Sequence, residues 1–106
     1  DRNMRPHIVY EIYRIGPAKK RWTMKYGISC QTAYKTKAGH PRPRNQVRRL
    51  RRRMEYKSSY IDYVILYRNV PGRAKAKVIE LNLVNSYFMR TLEMPEWQLR
   101  PIPTVY

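Results

Sequence analysis

The chain has 106 residues, and its 23 lysines and arginines stand against 7 acids, a net charge of +16. This length makes one domain with a single modest core, so residues 1–106 read as one unit. The charge calls for a polyanion, with nucleic acid ahead of an anionic membrane, because no long apolar run or amphipathic terminal helix is present to insert. Cys30 alone excludes an intrachain disulfide, and with only His7 and His40 beside it there is no Cys/His zinc set. The start, DRNMRPH, has neither a signal-peptide core nor a methionine at position 1. It reads as an excised domain or a processed product, with any targeting signal elsewhere.

The stretch Ile8 to Ser29 organises the rest. IVYEIYRI and WTMKYGIS read as two strands joined by GPAKKR, with Gly16-Pro17 as turn chemistry, so a β-hairpin is predicted. Its midpoint near Ala18 brings Tyr10 opposite the segment Lys25 to Gly27. Alternate residues of a strand point to opposite sides, so register decides whether Tyr10 and Lys25 share a face.

Cys30 to Pro43 is polar and basic and contains Gly39, Pro41 and Pro43, the composition of a loop. A helix is expected from about Arg44 to about Tyr56, with Val47, Leu50 and Met54 as a narrow apolar stripe. Its other faces carry Arg48, Arg49, Arg51, Arg52 and Arg53, a density that repels itself and calls for an anion. YIDYVILY, Tyr60 to Tyr67, is a third strand, apolar enough for the middle of a sheet. Val70-Pro71-Gly72 is a turn.

A second helix is expected from about Arg73 to Arg90, with Ala76, Ile79, Leu83, Val84 and Tyr87 on one stripe. Glu80 lies within that stripe. A carboxylate on a buried face costs free energy unless an ion-pair partner or a metal meets it. Glu80 is therefore either a structural partner of an arginine or the best metal ligand among the seven acids. The proline-rich tail EMPEWQLRPIPTVY is an irregular strap anchored by Trp97. The fold expected is α+β: a small three-stranded antiparallel sheet, the hairpin plus the central strand, flanked by helices.

Taken in this order, the residues resemble the GIY-YIG nuclease family. Ile8-Val9-Tyr10-Glu11-Ile12 is similar to the first motif, Gly-Ile-Tyr-x-Ile, and Lys25-Tyr26-Gly27-Ile28-Ser29 to the second, Tyr-Ile-Gly-x-Ser/Thr. Ile8 replaces the first motif's glycine, and Lys25 stands where the second motif has tyrosine. The resemblance implies an arginine on or near the first helix, for which Arg44 matches best and Arg48 next. It also implies a glutamate on a later helix holding one divalent cation, Mg2+ or Mn2+, which Glu80 matches, and a late polar amide, nearest to Gln98. The spacing looks most like the C-terminal nuclease domains of bacterial polymorphic toxins. That likeness implies a secreted or delivered effector acting in the target-cell cytoplasm and an acidic immunity protein as partner; DNA is favoured as the substrate, with RNA as the alternative.

The chemistry so implied is phosphodiester hydrolysis. Arg44 would neutralise charge on the phosphate, and Tyr10 would be the general base or would orient the water. The unperturbed phenol has a pKa of about 10, and Lys25, Arg44 and the metal are expected to lower it. Lys25 is also a proton acceptor if the same neighbours destabilise its charge, and His40 is a candidate assistant. Lys35, Lys37, Arg42, Arg48, Arg49 and Arg52 would hold backbone phosphates, with Gln98 beside them, giving affinity without sequence reading. Two other readings need less: a noncatalytic basic binding module, or a nuclease-like fold without activity.

Overall fold

The computed structural model describes residues 5–30 and 40–98. Lys35 and Lys37 lie outside the described residues. The elements are β1 (Pro6–Ile15), β2 (Arg21–Cys30), α1 (Pro41–Arg51), β3 (Tyr60–Pro71) and α2 (Arg73–Thr91), with short 3-10 turns at Pro17–Lys19 and Met54–Tyr56. Together they make an α+β fold with one antiparallel sheet in the order β2-β1-β3.

The hairpin forms as its turn chemistry predicts: Tyr10 pairs with Gly27 and Ile12 with Lys25. Residues directly opposite in an antiparallel pair share a face, so Tyr10 and Lys25 are on the same side of the sheet. Between the Ile12–Lys25 and Tyr13–Thr23 pairs β2 carries one extra residue, Met24. This bulge lets Met24 enter the core with no exposure while its neighbour Lys25 stays half-exposed beside the cleft described below.

β1, not β3, is the central strand, and β3 lies at an edge. Ile8, Val9, Tyr10 and Ile12 are fully buried, whereas Tyr60, Val64, Leu66 and Tyr67 on β3 are 37–53% exposed. Core packing separates along β1 by alternation. Ile8, Tyr10 and Ile12 join Val47 and Leu50 of α1, while Val9 joins Ala76, Ile79 and Leu83 of α2.

Helix α1 begins three residues earlier than the apolar stripe suggested and stops at Arg51. Proline at a first helical position is favourable, since its missing N–H would have no partner there and its φ suits the helix. Pro41 and Pro43 therefore start α1 rather than belonging to a loop. At the other end Met54 falls in the 3-10 turn and is 80% exposed, and Tyr56 takes the buried place instead. Arg51 bonds back to β3, its Nε and Nη2 both donating to the Ile61 carbonyl at 2.9 and 2.7 Å.

The tail from Leu92 to Gln98 contains no helix, and its last two residues, Trp97 and Gln98, bond to the outer edge of β2. The Trp97 N–H donates to the Met24 carbonyl at 2.7 Å, and the indole Nε1 donates to the Tyr56 hydroxyl at 2.6 Å. The Gln98 amide accepts from the Tyr26 N–H and donates to the Tyr26 carbonyl. Trp97 is the anchor the composition suggested.

Candidate active site

Gly27 shapes the site. A Cβ there would sit 2.4 Å from Cζ and from the hydroxyl oxygen of Tyr10, inside van der Waals contact. The absence of a side chain lets the Tyr10 ring lie flat across β2. The Tyr10 hydroxyl then reaches α1 and donates to Oε1 of Gln46 at 2.7 Å.

Around this pair is a cleft of about 540 Å³, lined by Tyr10, Lys25, Gly27, Arg42, Arg73, Lys77 and Glu80 among others. β1 gives the phenol, β2 the lysine, α1 Arg42, and α2 the remaining three. Arg73, Lys77 and Glu80 follow each other at helical spacing, so one face of α2 delivers all three. On α1 the same spacing aligns Arg42, Gln46 and Arg49, a stripe beside the apolar one, and Arg53 follows just beyond the helix end. Two further depressions adjoin the cleft. One of about 610 Å³ shares Arg42 and Arg73 with it and adds His7, Asn45 and Arg49. The other, of about 250 Å³, shares Lys25 and is walled by Leu50, Arg53 and Trp97.

The electrostatics differ from expectation at Tyr10. Burial pushes its hydroxyl up to about 12, and the Arg42 guanidinium beside it only partly opposes this. The phenol therefore holds its proton at neutral pH, contrary to the net lowering expected from nearby cations. Lys25 shifts the other way: burial, then the like charges of Arg42 and Arg49, hold its ammonium below its ordinary value despite Glu80. Burial also raises the Glu80 carboxyl, against the pull of Lys25, Arg42, Lys77 and Arg73. Glu80 is half-buried and forms no ion pair among the described residues, so the structural-partner reading gains no contact.

Of the residues picked out in sequence, Tyr10, Lys25, Glu80 and Arg42 meet in the cleft, and Arg49 lines the two depressions beside it. Arg44 and Arg48 line none of the three, and it is Arg42, one helical turn before Gln46, that neighbours the phenol. His40 is not a surface residue. It precedes α1 with 5% exposure and its N–H points to the Tyr63 hydroxyl at 3.4 Å. Arg52 is exposed at the end of α1, and Gln98 is buried against the Tyr26 backbone. Gln46, Arg73 and Lys77 escaped the sequence reading. Their signal was available in the helical spacing from Arg42 and from Glu80, but for Gln46 it required the correct helix start.

A toxin family described as URI fold toxin 2 matches residues 1–91. The chain belongs to that family. The match spans β1 to the end of α2, and so includes every element that builds the cleft. No curated protein and no solved structure matches this URI fold toxin 2 chain. Among its described residues no helix is long and apolar enough to cross a membrane.

Proposed function

We propose that this toxin domain is a divalent-metal-dependent nuclease that hydrolyses phosphodiester bonds with little sequence specificity, acting on DNA first and RNA as the alternative. The observation that carries the reading is the meeting, in one basic cleft, of a half-buried carboxylate without an ion-pair partner among the described residues, a lysine whose ammonium burial and like charges hold below its ordinary value, and a buried phenol. The motifs similar to GIY-YIG nucleases supply the same residues from sequence alone.

Glu80 would hold the metal. A small hard cation keeps several waters and is commonly bound by one or two carboxylates plus substrate phosphates, so a single carboxylate facing the cleft suits it. When bound, the ion supplies charge for the phosphate and for the departing oxygen. Four cations around Glu80 oppose any cation until a phosphate enters, so metal and nucleic acid are expected to bind together.

Arg42 would donate to phosphate oxygens as negative charge builds, the role given to Arg44 in sequence. Lys25 is the better proton acceptor, because burial and the like charges of Arg42 and Arg49 lower its ammonium from the ordinary value and it stays partly exposed at the cleft. Tyr10 is fully buried and keeps its proton. Its role is to orient: it ties α1 to the sheet through Gln46 and holds one wall of the cleft. Family membership supports delivery as an effector and an immunity protein as partner; the charge of the cleft calls for an acidic one seated over it.

The test is incubation with plasmid DNA and with total RNA, each with magnesium or with chelator. Metal-dependent cutting is expected, lost by at least about 100-fold in Glu80→Gln and in Lys25→Arg, the latter keeping the charge but not an accessible neutral amine. Tight binding without cutting in any metal would leave a noncatalytic basic module in its place.

A further inference from the structure

The small depression beside the cleft differs in chemistry from its neighbours. Leu50 and the half-buried Trp97 form its wall, Arg53 lies over the indole at 4.6 Å, and Lys25, Gln46 and Arg49 stand at its border with the cleft. We infer that this slot, resting on the nuclease reading of the cleft, is a subsite for one unstacked nucleobase next to the bound phosphate, so that the substrate is single-stranded or locally unpaired.

Three observations converge on that ligand. At about 250 Å³ the slot is smaller than the roughly 300–1,000 Å³ sites that take drug-sized ligands, and has room for one ring system. Its flat surfaces are the indole and the Arg53 guanidinium that covers it at 4.6 Å, the two side-chain planes on which unpaired bases stack. They lie too close for a ring between them, so a base stacks on the outer side of the guanidinium or displaces it from the indole. It shares Lys25 with the cleft and Gln46 and Arg49 with the larger basic depression, so a base seated there is continuous with a backbone lying across those cations. A duplex keeps its bases stacked inward and cannot fill the slot without extruding one. Gln46 Oε1 is already engaged by Tyr10, while its amide nitrogen carries no bond among the described residues and can donate to a base edge.

The test compares binding of a short oligodeoxyadenylate with a chain of the same length and charge that lacks bases, in chelator so that nothing is cut. The intact oligomer is expected to bind roughly 5- to 100-fold more tightly, the effect of one stacked base. Trp97 emission, read in a Trp22→Phe background, should be quenched by the intact oligomer only. Trp97→Leu removes the wall but also a tail anchor, so Arg53→Ala, at an exposed position, carries the comparison. It should weaken the base-free chain slightly and the intact oligomer more, shrinking their ratio. Equal affinities for the two chains, or a ratio unchanged by Arg53→Ala, would overturn the subsite. Cutting together with equal affinities would leave the nuclease standing and remove the subsite, whereas base-selective binding by a protein that never cuts would do the reverse.

Discussion

Gly27 and Tyr10 are a single unit. The ring lies where a Cβ would be, so Gly27→Ala forces the phenol from its bond to Gln46. Overpacking of this kind costs about 1–3 kcal/mol. The expected outcome is a lower denaturation midpoint together with loss of nucleic-acid cutting. Tyr10→Ala empties the largest fully buried side chain, at a cost of about 3–5 kcal/mol. The double variant should therefore be less stable than Gly27→Ala, yet its total loss should stay below the sum of the two single losses, since the clash disappears with the ring. Unchanged stability in Gly27→Ala would mean that the ring moves freely. Glu80 gives a second prediction. Its carboxyl is raised above 4.5 because burial outweighs four surrounding cations. A folded value above the unfolded one means that ionisation destabilises the fold: the contribution is complete below the unfolded value and is lost as pH rises through the folded one. Glu80→Gln should therefore melt higher than wild type at pH 7, with the two curves converging below about pH 4, where the wild-type carboxyl is neutral. A variant that melts lower at neutral pH would show that the cations around Glu80 need its charge.

At the scale of elements, α2 was legible and α1 only in part. The apolar stripe of α2 and the Pro71-Gly72 start fixed its length within a residue, and Glu80 could be placed on the buried side from spacing alone. For α1 the composition of Pro41 and Pro43 suggests a loop, although the two prolines open the helix. That three-residue error favours Arg44 over Arg42 and hides the Arg42–Gln46–Arg49 stripe. β3 was misplaced for a different reason. Its apolar run describes composition, while centrality depends on which strand has two partners, a long-range property that no local pattern contains. The hairpin register was readable to within a residue because a short connection constrains it, but the Met24 bulge that sets Lys25 beside the cleft left no local mark. One element end is also suboptimal. Leu92 terminates α2 in the left-handed region at φ 60° with 76% exposure, its N–H bonded to Phe88 O. Glycine meets no Cβ penalty there, so Leu92→Gly should stabilise by about 0.5–1 kcal/mol in thermal or denaturant unfolding, with cutting unaffected. A loss of stability would show that the exposed leucine packs in solution.

For the whole molecule the question is how a charge of +16 is used. Several cations are already engaged in holding the fold. Arg14 is stacked between Trp22 and Tyr56 and paired with Glu96, Arg21 is bonded to Glu11, and Arg51 is bonded to the Ile61 carbonyl. Arg42, Arg49, Arg73 and Lys77 line the connected cleft and depressions, as does Arg53, which also pairs with Glu55 and covers Trp97. If these five carry the backbone, the slope of log affinity against log salt should lie between about −3 and −5, single strands giving the shallower value. Replacing Arg49 and Lys77 together with glutamine should reduce its magnitude by about 2. A diffuse cationic surface behaves otherwise: the slope would be steeper, and two neutral substitutions among so many charges would barely alter it. The same five cations define what an inhibitor must neutralise. An acidic immunity protein seated over the cleft should compete with nucleic acid and lose affinity in the same double variant. A partner that binds the variant as tightly as wild type would have to dock elsewhere, and the exposed apolar residues of β3 are the surface it would then have to use.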